Sequence, residues 1–104
     1  MERLSQLKTF LENDPKDPFL LFAIAKEYEK QSDLESAETY YKKILEVDPD
    51  YVGLYYHYGK LKVLNGDFAK AIDLYDKGMK VAKSQSDQHA YSELAGAKLE
   101  IDDD

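Results

Sequence analysis

The sequence predicts an all-α fold, a solenoid of about six antiparallel helices, on three observations. The chain matches itself at a shift of 34 residues, its apolar residues recur at helical spacing, and glycine and proline are few. Residues 18–51 realign with residues 52–85 without a gap: Leu20 falls on Leu54, Lys26 on Lys60, Asp33 on Asp67, Ala37 on Ala71, Tyr41 on Tyr75, Lys43 on Lys77 and Val47 on Val81. Lys8, Leu11, Glu12, Asp14 and Pro15 recur at Lys42, Leu45, Glu46, Asp48 and Pro49, so the N-terminus belongs to the same series. A period of this size marks stacked helical units, none of which buries its apolar face alone.

Each helix is justified by its own spacing and ends. In the first, Leu4, Leu7, Phe10 and Leu11 form the expected stripe, and Pro15 cannot continue the helix. Asp17 is an N-cap with Pro18 at the first helical position, and the second helix runs through Lys30. Ser32 and Glu35 have capping-box spacing for a third helix ending near Val47. Asp50 or Tyr51 precedes the fourth. Asn65-Gly66-Asp67 offers a left-handed stop and a fresh cap, so the fifth starts near Phe68. Ser86 or Asp87 caps the sixth, which fits the repeat if two residues are inserted before it. Tyr91, Leu94, Ala95 and Lys98 then take packing positions, with Ala90, Glu93, Ala97 and Glu100 facing outward. Ala25, Gly59, Ala37 and Ala71 are small where paired helices must approach closely; Gly78, whose counterparts are Phe10 and Ile44, is not accounted for beyond local crowding.

The spacing within the period resembles the tetratricopeptide repeat (TPR) family. Its aromatic, leucine, small residue and tyrosine, followed by alanine, aromatic and proline, find Leu21, Ile24, Ala25, Tyr28, Ala37, Tyr41 and Pro49 in the first repeat. The second repeat offers Tyr55, Tyr58, Gly59, Lys62, Ala71, Tyr75 and Lys83, departing at Lys62 and Lys83. The resemblance implies a right-handed solenoid and a single domain over residues 1–104. Its parts are a half repeat at 1–17, full repeats at 18–51 and 52–85, a capping helix at 86–101 and an acidic tail at 102–104.

Composition narrows the function. Fourteen basic against 21 acidic residues leave a net charge of −7, which opposes a phosphate backbone, so nucleic acid is not an expected partner. With no cysteine, neither a disulfide framework nor a thiolate site is available. The opening residues lack an uninterrupted apolar stretch of the kind a secretion signal carries, and no apolar run reaches membrane-spanning length, so a cytoplasmic protein is expected. His57 and His89 stand without an HExxH, a glycine-rich phosphate loop or a nucleophile motif. No enzyme activity, metal or cofactor is expected.

In the TPR family the first helices of successive repeats line a groove that holds a peptide or a partner's helix. Carried over by position, the candidate groove residues are Phe19, Phe22, Lys26 and Lys30 from the first repeat, and Tyr56, His57, Lys60 and Val63 from the second, with His89 closing the far end. No acidic residue lies between Asp50 and Asp67, a window holding Tyr51, Tyr55, Tyr56, His57, Tyr58, Lys60 and Lys62. This aromatic, mildly basic helix in an acidic chain points to a protein or peptide ligand with an acidic or C-terminal carboxylate group. The resemblance does not extend to the subclass that grips chaperone C-termini, because Ala23 and His57 replace its asparagines. The alternative is a structural scaffold acting through self-association of exposed tyrosines. A monomer or weak homodimer is expected.

Overall fold

The computed structural model describes residues 2–102, and every regular element among them is an α-helix: α1 (Glu2–Asn13), α2 (Pro18–Lys30), α3 (Leu34–Val47), α4 (Gly53–Leu64), α5 (Phe68–Ser84) and α6 (Gln88–Asp102). Asp103 and Asp104, two residues of the expected acidic tail, lie outside the described residues, whereas Asp102 ends α6. The chain divides between Pro49 and Asp50 into two compact units, α1 to α3 and α4 to α6.

One turn, used three times, punctuates the helices. After α2, α4 and α5 a residue enters the left-handed region, Ser32 at φ 61°, Gly66 at φ 78° and Ser86 at φ 57°. The aspartate that follows sends its N–H back to a carbonyl in the last turn: Asp33 to Tyr28, Asp67 to Lys62 and Asp87 to Ala82, each at 2.9 Å. This is the Schellman arrangement, which satisfies carbonyls that a helix end would otherwise orphan. The same aspartate then caps the next helix, its Oδ1 accepting from Ser36 N at 3.1 Å, Lys70 N at 3.2 Å and Ala90 N at 3.0 Å. The expected capping box from Ser32 is therefore corrected. Ser32 is spent on the left-handed position, and Asp33 is the cap. At α2 the expected cap holds, with Asp17 accepting from Phe19 N at 2.9 Å. Helix α4 differs: Val52 already has helical dihedrals and offers no side-chain cap. The loop before α4 is tied instead by Gln85, whose amide donates to the Asp50 carbonyl at 2.7 Å.

In the N-terminal unit Leu4 and Leu7 of α1 bury themselves with Ile24, flanked by Leu11, Leu20, Ala23, Tyr28 and Tyr40. Phe10 does not join that stripe. It is 58% exposed, because its ring leaves the α1 face that Leu4 and Leu7 turn inward. Ala25, Ala37, Tyr41 and Ile44 are fully buried, as close helix pairing requires. Glu27 is the buried charge of this unit, held by Arg3 at 3.2 Å and Lys30 at 3.5 Å. A carboxylate so placed needs those partners to offset its desolvation.

In the C-terminal unit two glycines mark where helices touch. A methyl built on Gly59 would overlap the ring of Tyr75, and one on Gly78 would lie 2.5 Å from the Tyr55 Cβ and 2.9 Å from a Leu94 methyl. Gly78 is thus the point where α5 meets α4 and α6 together. Leu94 is buried, and Lys98 pairs with Asp76 of α5 at 2.9 Å. Tyr91, expected to pack, is 39% exposed, and Ala90 and Ala97, expected outward, are half-buried. Leu94 and the half-buried Ala95 and Lys98 hold the packing positions expected of them, and Ala90, Ala97 and Ile101 widen the inward stripe at a spacing of three and four residues.

Candidate binding cleft

The expected groove residues take up distinct environments in each unit. In the N-terminal unit Phe19 is 66% exposed, while Phe22 is half-buried with its ring tilted against Tyr41, centroids 6.2 Å apart. Lys26 lies 3.6 Å from Glu29, one turn on, and Lys30 pairs with Glu27. In the C-terminal unit the Lys60 ammonium sits 5.6 Å from the Tyr56 ring centroid, and the Tyr56 ring meets His57 edge-on at 5.4 Å. His89 is almost fully exposed and 3.5 Å from Glu93, a contact that becomes an ion pair only when the imidazole is protonated. Among the described residues no three His, Asp or Glu side chains gather as a metal site.

Lys60 and Val63 are brought together in an open cleft of about 450 Å³. Its walls are Lys60 and Val63 from α4, Phe68, Ile72 and Tyr75 from α5, and Ala97, Glu100 and Ile101 from α6. Tyr56, His57 and His89 do not line it.

A comparison of the two repeats explains why this cleft is apolar. In the first, the Tyr41 hydroxyl donates to Glu29 at 2.7 Å. Burial, then the hydrogen bond and charge of Glu29, hold Tyr41 well above the ordinary tyrosine value. In the second, Tyr75 stands at the Tyr41 position but Val63 occupies that of Glu29. Tyr75 therefore lines the cleft with Val63 in place of a carboxylate. Burial pushes its hydroxyl up to about 12, with Tyr56 and Glu100 contributing. The substitution of a valine for a glutamate at one repeat position turns a filled polar contact into an apolar recess. That signal was available in the sequence, as was the spacing that turns Ala97 and Ile101 inward once Leu94 is core. The expected outward assignment of Ala97 hid it.

The cleft thus offers apolar walls with a cation at its α4 side and a carboxylate at its α6 side. Such a site suits an apolar side chain carried on a polar backbone.

The tetratricopeptide repeat family model matches residues 28–101, most of the chain. The chain belongs to the tetratricopeptide repeat family. Solved TPR structures agree. A TPR domain protein of Salinibacter ruber, known from a crystal structure, is 41% identical with a TM-score of 0.79, over 83% of this chain and 96% of that one. A solution structure of a TPR domain protein from the same organism gives 42% identity and 0.79 over 83% and 87%. A Bordetella parapertussis protein shares the fold at 24% identity, with a TM-score of 0.81 over 94% of this chain and 85% of that one. No curated protein matches the sequence. The all-α helical-repeat class read from the period is thus the fold of the chain. TPR repeats generally mediate protein–protein interaction, and no helix among the described residues is long and apolar enough to cross a membrane.

Proposed function

We propose that this TPR chain is a non-enzymatic adaptor that takes an extended segment of a partner protein against α4, the repeat-opening helix of its C-terminal unit. The cleft of α4, α5 and α6 is the main contact. The observation that carries this reading is the recess itself, which combines an exposed cation from the expected groove with walls of Val63, Phe68, Ile72 and Ile101. An aliphatic or aromatic side chain of the ligand fills the recess. A ligand carboxylate is drawn to Lys60 and repelled by Glu100, which fixes the direction in which the segment lies. On the same unit Tyr56 and His57 of α4 supply further aromatic contacts, with His89 at the margin; in the N-terminal unit Phe22 and Lys26 of α2, with Phe19 and Lys30, form a candidate surface of their own. A contact of this size supports modest affinity: a micromolar complex corresponds to about −8 kcal/mol, much of which two or three buried anchors supply.

The test is selection from a random peptide library with free C-termini, followed by calorimetric titration of the enriched peptides. Peptides with an apolar residue near an acidic group or the terminal carboxylate are expected. Lys60→Glu and Val63→Glu should each weaken binding at least tenfold, and added salt should weaken the wild-type complex. Peptides that bind both variants as they bind wild type would remove the cleft from the reading.

A further inference from the structure

Two large aromatic side chains, one on α1 and one on α6, are exposed at positions that the repeat buries elsewhere. Phe10 stands one period before Ile44 and two before Gly78. Ile44 is fully buried, and Gly78 is pressed against Tyr55. Tyr91, with the two-residue insertion before α6, stands at the position of Leu21 and Tyr55, both buried. In the second repeat these positions are mates, Gly78 lying against Tyr55, and their counterparts in the first, Ile44 and Leu21, are both buried. Phe10, at 58% exposure, and Tyr91, at 39%, are the two halves of such a pair.

From this we infer that the Tyr91 face of α6 in one copy of the chain receives the Phe10 face of α1 in a second copy, forming head to tail the helix pair that each repeat forms internally. The occupant is a second copy because α1 presents what α6 lacks in kind and register, a repeat-closing helix with a large apolar residue at the mating position. The spacing of the new pair is also consistent. Phe with Tyr is bulkier than Leu with Ile or Tyr with Gly. Arg3 replaces Ala37 and Ala71 at the small-residue position of α1, with its guanidinium turned to Glu27. Both features set the helices further apart than within a repeat, so the contact is weak and dependent on concentration. The two faces differ, so the contact is heterologous and adds copies in series or in a ring rather than stopping at a two-fold dimer.

The experiment is sedimentation velocity on the 104-residue chain from micromolar to near-millimolar concentration. It is repeated with Phe10→Asp, which keeps only the α6 face, and Tyr91→Asp, which keeps only the α1 face. Phe10→Gln and Tyr91→Gln repeat both without added charge, and circular dichroism checks that helicity is retained. Wild type should shift with concentration to twice the mass of one copy and beyond. Each variant alone should remain a single copy, and their equimolar mixture should give a species of two copies and nothing larger. A wild type that stays single throughout, a single variant that associates as wild type does, or a mixture that fails to pair would each overturn the inference.

Discussion

Residues that look alike in composition have opposite energetic roles here, and glycine shows it best. A methyl on Gly78 would press on the Tyr55 Cβ, an atom fixed to the backbone, whereas one on Gly96 meets nothing within 4 Å. Gly96→Ala should therefore stabilise the chain by up to about 1 kcal/mol through helix propensity alone. Gly78→Ala forfeits that gain to overpacking, which costs about 1–3 kcal/mol, and should be net destabilising. Urea denaturation of both variants reads the signs directly; Gly78→Ala as stable as wild type would mean that α4, α5 and α6 can separate without cost. Ser32, in the left-handed region, should gain from glycine, since a side chain there costs about 1–2 kcal/mol that glycine avoids in the fold. Gly66 was legible as such a stop because glycine advertises it. Ser32 was not, because serine before an acidic residue also spells a capping box, and only the helical register shows that Asp33 does the capping.

At the scale of helices, the repeat makes the pairings legible, while the candidate cleft lies where the second repeat departs from the first. Ala37 and Ala71, small and periodic, were readable as pair contacts and are fully buried. Ala37→Trp should lower stability by about 1–3 kcal/mol or more, seen as a markedly earlier melt. Spacing places Tyr91 on the packing stripe of α6, since an aromatic at a repeat position looks like core whether or not a partner helix covers it, yet it is 39% exposed. Glu27, which ties α2 to α1 through Arg3, was not singled out, because an acidic residue in an acidic chain carries no mark of burial. The two buried tyrosines of α3 and α5 predict an alkaline limit. Their hydroxyls ionise less readily folded than unfolded, where the ordinary value is about 10. Above that pH the unfolded chain binds fewer protons, so stability falls as pH rises. The Tyr75 contribution is complete below about 10 and continues to be lost until about 12, whereas that of Tyr41 goes on beyond. Equilibrium denaturation at stepped pH should show this decline, with a smaller slope in Tyr41→Phe and in Tyr75→Phe. At neutral pH Tyr41→Phe should cost about 1 kcal/mol, from the lost bond to Glu29. A pH slope untouched by either substitution would place the alkaline transition elsewhere.

For the molecule as a whole, the fold follows from the period, while the candidate cleft is marked by a single broken equivalence, Glu29 against Val63. The sequence could name Lys60 and Val63 because the family places its ligands along those helices. Phe68 and Ile72 are not marked there, because they lie on a helix whose rotation toward the cleft is fixed by packing, whereas Ile101 follows only once Leu94 is taken as core. Binding rests on the proposal that this recess receives a side chain of a partner protein. The most direct measurement is a two-dimensional amide NMR titration of the labelled chain with the peptides selected above. Saturable shifts concentrated at Lys60, Val63, Phe68, Ile72, Ala97 and Ile101 are expected, abolished by Val63→Glu. A library that yields no ligand, or shifts gathered on the charged outer face of α5 around Asp73 and Lys77, would contradict the proposal.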